Sequence, residues 1–162
     1  SIIGVLSTVI LGSLGSARNS AKDAKIKAMM GQMRTQAEIF NIRHGSYRGT
    51  STTGYQDDSI SECKTRTGAD GSVFDENTEG NFYALIDGVT DLTEDITNRI
   101  RCGVTSSSSG LDNWAFAVPL FNPEDGFTGW CVDSSGSAKS VNIDFSQAGS
   151  EMGLASTGLA CP

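Results

Sequence analysis

Hydrophobic residues are concentrated at the start of the chain, and after them apolar residues recur at the spacing of one helix face. Residues 2–14 are apolar or small and carry no charge. Residues 16–44 are rich in helix-forming residues, contain no proline, and place apolar residues at steps of three and four. This stripe is the core-facing side of an amphipathic helix, and its members are Ile26, Met30, Met33, Ala37 and Phe40. Gly45 follows it and is placed to cap the helix.

The pattern therefore predicts one helix over residues 1–45, apolar in its first half and amphipathic in its second. A helix of about 40 residues is roughly 60 Å long. The apolar run is shorter than the about 20 residues of a membrane-spanning helix, and it lacks the basic leader and cleavage site of an intact secretory signal peptide. It is either a buried core helix or the second part of a longer hydrophobic helix. A compact monomer cannot bury it, whereas a membrane or a bundle of identical helices can, so we favour the second interpretation.

Residues 46–112 lack a sustained period and are interpreted as a connecting loop region with short helices. Residues 48–54 and 106–110 are typical of loops. We predict a short helix that starts near Thr78, and residues 91–100 predict a further turn or two. The apolar cluster of this region consists of Phe74, Phe82, Tyr83, Leu85, Ile86 and Val89.

Residues 113–162 predict antiparallel sheet and a disulfide-bounded C-terminal loop. Strands are expected at Trp114–Val118, extending to Phe121, at Gly129–Asp133 and at residues 137–143, with turns between them. Such a meander can pack on the helix stripe. The fold class is therefore α+β: a long N-terminal helix on a small antiparallel sheet of three or four strands, forming one globular head with disulfide-stapled loops.

The cysteine spacing favours an exported protein. No pair has the spacing of a metal site or of a redox motif, and an even number of widely separated cysteines fits two structural disulfides. The alternative is four unrelated thiols in a cytosolic domain. The four residues are Cys63, Cys102, Cys131 and Cys161.

Charge is divided unevenly along the chain. The formal net charge is −7, which makes the whole protein a poor partner for nucleic acid. Residues 1–48 hold seven Lys or Arg and two Asp or Glu, a net charge of +5, whereas the remaining residues hold five and seventeen, a net charge of −12. A basic rod is thus joined to an acidic head. The basic collar of the rod consists of Arg18, Lys22, Lys25 and Lys27.

Candidate catalytic and metal-binding residues are few. His44 has no activated Ser or Cys motif with it, so a cap or surface role is preferred. Glu124 and Asp125 are weak calcium candidates, but no acidic cluster has the EF-hand spacing, and a solvated acidic surface is preferred. We predict no enzyme activity, no cofactor and no small-molecule substrate.

Both ends of the chain resemble one protein family. The run from Ile2 to Arg18 resembles the second half of the N-terminal helix of type IV pilins and pseudopilins, and the chain leaves the helix at Gly45-Ser46-Tyr47. The segment 130–136, with the final Cys161-Pro162, is similar to the terminal strands and cysteine-bounded loop of some bacterial pilin-like proteins. The resemblance implies that the first turns of the family's helix, with a phenylalanine and a glutamate, precede Ile2.

Four cysteines allow three pairings. We predict Cys131–Cys161, which pins the tail to the sheet, and Cys63–Cys102, which ties the middle loop to the strand region. In the chain-entropy model each bridge would contribute about 3–4 kcal/mol.

The resemblance implies a structural subunit of a bacterial type IV pilus-like filament, serving adhesion, motility or DNA uptake. It further implies that the precursor is anchored in the inner membrane, and that the pilus assembly machinery extracts it into an extracellular surface filament, in which its partners are copies of itself. The basic collar is expected to meet acidic head residues of neighbours. The residues expected to form the assembly helix are Ile2, Ile3, Val5, Leu6, Val9, Ile10, Leu11 and Leu14.

Two other functions are weighed against the pilus. A pseudopilin of a type II secretion system shares the helix and the fold, but disulfides and a long head favour the pilus. A secreted binding module or hydrolase is a remote alternative, because the sequence has no catalytic constellation.

Overall fold

The computed structural model describes residues 2–49, 55–57, 71–75, 78–93, 99–105, 112–146 and 160–162. For residues 2–13 and 55–57 it describes the secondary structure and not the side chains. Two helices and five strands lie in these residues. The helices are α1, Ile2–His44, and α2, Tyr83–Leu92. The strands are β1, Tyr55–Asp57; β2, Arg101–Val104; β3, Trp114–Pro119; β4, Gly129–Asp133; and β5, Ala138–Val141.

The strands form an antiparallel meander in chain order. In the middle of the sheet, Phe116 of β3 lies opposite Cys102 of β2 and Val132 of β4. Strands β2 to β5 make a four-stranded sheet, to whose edge the three-residue β1 is added. The structure therefore confirms the predicted α+β class, a long helix with a small antiparallel sheet.

Helix α1 covers one face of this sheet with the predicted stripe. Alternate residues of β3 point to opposite faces, and Trp114, Phe116 and Val118 share one core cluster with the α1 stripe and the apolar side of α2. The helix ends where expected: Gly45 has φ +74°, and its N–H donates to the carbonyl oxygen of Asn41 at 2.7 Å. The buried stripe residues of α1 are Ile26, Met30, Met33, Ala37 and Phe40.

The C-terminal segment covers the other face. Ala115 and Ala117 of β3 lie there in a second buried cluster with Cys131, Phe145 and Cys161. The Cys131–Cys161 disulfide, with a Cα–Cα distance of 5.7 Å, confirms the predicted pairing. Cys102 is also disulfide-bonded, while Cys63, its predicted partner, lies outside the described residues.

Asp133, at the end of β4, ties the tail to the β4–β5 turn. Its carboxylate accepts hydrogen bonds from the N–H groups of Ser135, Ser137 and Cys161, at 2.9, 3.1 and 2.8 Å, and from the Ser135 hydroxyl at 2.6 Å. Burial by itself raises the pKa of Asp133, but these hydrogen bonds outweigh burial and lower the pKa below its usual value. The carboxylate therefore stays ionised at neutral pH and orders the turn and the tail together.

Strand β2 was not predicted, and the segment 46–112 is more than a connecting loop. All four residues of β2 are buried: Cys102 and Val104 belong to the core cluster on the helix side, and Arg101 contacts the C-terminal segment at Phe145. A short strand buried on both faces shows no alternation of polar and apolar residues. Its Arg101 remains buried because its Nη2 donates to the carbonyl oxygen of Phe145 at 2.8 Å.

Three predicted boundaries were wrong. Strand β3, expected to extend to Phe121, ends at Pro119. Helix α2 starts at Tyr83 rather than near Thr78, because Gly80 has φ +87° in a preceding turn and the Asn81 side-chain oxygen accepts the N–H of Tyr83 at 2.8 Å. Strand β5 ends at Val141, because beyond it the N–H of Ile143 donates to a side chain, the Thr128 hydroxyl. The predicted helical turns after Thr93 and the loop 106–110 fall largely outside the described residues.

Candidate assembly surface

Helix α1 extends beyond its described contacts with the head. It has 43 residues, which corresponds to a length of roughly 65 Å. From the N-terminal end, the described contacts begin at Ser16, whose carbonyl oxygen accepts a hydrogen bond from Asn122 Nδ2 at 3.2 Å. The helical residues 2–15 precede that contact, and the side chain of Leu14 is 62% exposed. Most of the predicted assembly residues lie within residues 2–13, whose side chains the structure does not describe.

A line of uncharged, exposed residues runs along the outer side of α1 over the described part of the helix. Exposed residues recur there at steps of three and four, opposite the buried stripe. They are small in the middle and large at both ends, where Ile39 and Ile42 are 45% and 85% exposed. Small residues let a second helix approach closely. We call this set the outer stripe, and its members are Leu14, Ala17, Ala21, Ala24, Ala28, Gly31, Thr35, Ile39 and Ile42.

The structure divides the predicted basic collar into two pairs. Lys22 Nζ lies 4.7 Å from the ring centroid of Phe121, and Lys27 Nζ lies 4.5 Å from that of Trp130. These cation–π contacts hold two collar residues on their own head. Arg18 and Lys25 are exposed and form no ion pair with any residue that the structure describes. Only the second pair is turned outward.

Sequence reasoning missed the contact that fixes α1 on the sheet. Asp23 is only 5% exposed. Its Oδ1 accepts the N–H of Phe121 at 2.9 Å and its Oδ2 accepts the N–H of Asn122 at 2.8 Å. The available signal was position: Asp23 stands one helical step before Ile26, so it continues the apolar stripe with a carboxylate.

The other end of α1 is fixed by polar contacts. Arg43 forms an ion pair with Glu79 at 2.6 Å, and the Tyr47 hydroxyl donates to Glu38 Oε1 at 2.8 Å. Burial, reinforced by that carboxylate, raises the pKa of Tyr47 to about 12. The exposed His44 packs its ring on Phe40 at 4.3 Å and its Nε2 lies 3.1 Å from the carbonyl oxygen of Glu79. His44 thus lies exposed at the C-terminal end of α1 and contacts the turn that precedes α2.

Glu124 and Asp125, the weak calcium candidates, are exposed in the β3–β4 turn, where Glu124 Oε2 accepts a hydrogen bond from the Ser140 hydroxyl at 3.4 Å. Within the described ranges, no three or more His, Cys, Asp or Glu side chains are arranged to hold a metal ion. In the same part of the chain, no helix combines the length and the apolar character required to cross a membrane.

A long N-terminal helix on a four-stranded antiparallel sheet, with a disulfide that holds the tail, is compatible with a pilin-like fold. No family model, curated protein or solved structure matches the chain.

Proposed function

We propose that the protein is a non-enzymatic structural subunit of a type IV pilus-like surface filament, and that it assembles with copies of itself through α1. The outer stripe carries this proposal. It is an uncharged, exposed helix face, and it continues the line of the predicted assembly residues Ile3 and Ile10, which lie two turns apart on the helix, with Ile10 four residues before Leu14.

Helix packing explains why such a face favours assembly. Side chains of Ala and Gly keep the surface low, so that the axis of a second helix can come close. The larger Leu14 and Ile42 leave apolar area exposed to water, and covering that area by another copy releases free energy in proportion to the area buried.

Charge supports contacts between different parts of two copies. Arg18 and Lys25 are exposed, while residues 49–162 carry a net charge of −12. A contact between a basic rod and an acidic head joins two different surfaces. Contacts of that type repeat into an open filament when the rotation between copies does not close a ring.

The substitution Ala28→Glu tests the proposal, because it places a charge in the middle of the outer stripe without touching the buried stripe. The matched control is Ala84→Glu, at an exposed position of α2. Cells that produce each variant are sheared, and the released filaments are counted by electron microscopy after immunogold labelling. We expect Ala28→Glu to lower the filament count at least about tenfold, which corresponds to about 1.4 kcal/mol in subunit association, and Ala84→Glu to leave it unchanged.

The location of the labelled material decides between the two filament functions. Labelled surface filaments would support the pilus, with a precursor anchored in the inner membrane. Label confined to the periplasm would indicate the secretion pseudopilin instead. Label found neither on surface filaments nor in the periplasm, with the protein normally folded, would contradict both functions.

A further inference from the structure

We propose that Asp23 locks α1 to the sheet, so that load applied along the helix axis enters the head through the Asp23 carboxylate. The use of this lock rests on the proposed function, since a filament pulls its subunits along α1. The lock itself is a property of the single chain.

The Asp23 contact is built as a strong one. Its two oxygens accept the N–H groups of two consecutive residues, Phe121 and Asn122, at 2.9 and 2.8 Å. Hydrogen bonds to an ionised acceptor are about twice as strong as neutral ones. An ionised carboxylate that is only 5% exposed is tolerable only because those donors replace water. Asp23 therefore cannot leave its two partners without a large cost in free energy.

Other contacts of Phe121 and Asn122 with α1 bear the load together with the Asp23 carboxylate. Asn122 Nδ2 lies 3.2 Å from the Ser16 carbonyl oxygen and 3.3 Å from the Ser20 hydroxyl, and the Phe121 ring lies under Lys22 Nζ. Phe121 and Asn122 thus hold α1 over the segment from Ser16 to Asp23. Coming from the N-terminal end of the helix, this segment is the first that is held by the described part of the head.

The lock is attached next to a strand that lies between two disulfide-bonded strands. Phe121 follows β3 after a single residue, and β3 lies between β2 and β4. Cys131 of β4 is disulfide-bonded to Cys161, and Cys102 of β2 is also disulfide-bonded. Helix α1 has no cysteine. Load therefore passes from the helix to a disulfide-braced sheet through non-covalent contacts, of which Asp23 makes the two charge-assisted ones described here.

Pulling single oxidised molecules tests the lock. Handles at Ser1 and Pro162 load α1 against β4, because the Cys131–Cys161 disulfide carries the C-terminal load into β4. At constant force, Asp23→Asn should shorten the time before the first extension about tenfold or more, because a neutral amide turns an N–H group toward one of the two donors. The matched control Asp125→Asn removes the same charge from an exposed residue of the same turn and should leave the lifetime unchanged.

A second pulling direction separates a lock from a general loss of stability. With one handle moved to the exposed position of Ile42, load enters α1 on the far side of Asp23 and bypasses the lock. The proposal requires that the fold by which Asp23→Asn shortens the lifetime is several times smaller in this direction than with the handle at Ser1. Equal shortening in both directions, or none in either, would overturn it.

Asn122→Ala keeps the test decisive if Asp23→Asn does not fold. This variant retains Asp23 and both backbone N–H groups but loses the contacts to Ser16 and Ser20. We expect a lifetime a few-fold shorter in the Ser1 direction only, and an unchanged lifetime would contradict the proposal. The pulling measurements use single molecules and do not depend on a filament. If they show the lock but the cells make no labelled filaments, the proposed function is refuted and the lock stands.

Discussion

The two long sides of α1 differ in the size of their side chains more than in their polarity. The inner side carries Ile26, Met30, Met33 and Phe40, all fully buried against the sheet and α2. The outer side carries four alanines and a glycine between larger residues at each end. Neither line of positions contains a charge, apart from Asp23 where the inner side begins. Large side chains hold the helix on its own head, whereas small ones leave a low surface against which another copy can lie.

The same substitution, isoleucine to alanine, should have very different effects on the two sides of α1. Ile26→Ala removes a buried side chain, and the transfer and cavity costs together should lower the free energy of unfolding by about 2–5 kcal/mol. Ile42→Ala, at an 85% exposed position, should change it by no more than about 0.5 kcal/mol. Urea unfolding followed by tryptophan fluorescence measures both. Similar losses in the two variants would mean that the sides are not distinct.

The hydrogen bond between Tyr47, just beyond α1, and Glu38 of α1 offers a test by pH. The folded-state pKa of Tyr47 is raised to about 12, above the usual value of about 10. The folded state therefore retains this proton after the unfolded state has lost it, so the stability that Tyr47 contributes is present below pH 10 and declines as the pH rises toward 12.

Tyr47→Phe removes the titrating group and the hydrogen bond to Glu38. We expect a loss of about 1 kcal/mol at neutral pH and a shallower decline in stability above pH 10. Tyr83→Phe, at a partly exposed tyrosine on α2, serves as the control. A decline of unchanged steepness in Tyr47→Phe would assign the effect to other groups.

The smallest expected effect is a gain. Gly31 belongs to the outer stripe, and a Cβ added there would meet nothing within 4 Å. Gly31→Ala should therefore stabilise the helix by about 0.5–1 kcal/mol, because alanine loses less conformational entropy than glycine in a helix. Thermal unfolding measures the gain. A loss of stability instead would show that the outer side already contacts something in the single chain.

The elements that the sequence predicted are those with a long or regular signal. Helix α1 has a clear period, β3 is rich in strand-forming residues, and the Cys131–Cys161 bridge closes between two of only four cysteines. Strand β2 was missed because burial on both faces removes the alternation that identifies a strand, and because, unlike β3, its sequence Arg-Cys-Gly-Val has few strand-forming residues.

The contacts that orient α1 depended on residues distant in sequence. Asp23 and Asn122 are 99 residues apart, and only the fold brings the end of β3 to the helix. The division of the basic collar has the same origin. In the sequence the four positive charges of one helical segment look equivalent. Only the fold places Phe121 beneath Lys22 and Trp130 beneath Lys27.

Strand β3 is buried at all six of its positions, since α1 covers one face of the sheet and the tail covers the other. Foreign peptide cannot be displayed on either face without dislodging one of these two layers. The tip of the β3–β4 turn is different: Gly126 has φ +83°, and a Cβ there would meet nothing within 4 Å. An epitope tag inserted after Gly126 would leave both layers in place, which makes this tip the natural point for labelling the subunit inside an intact assembly.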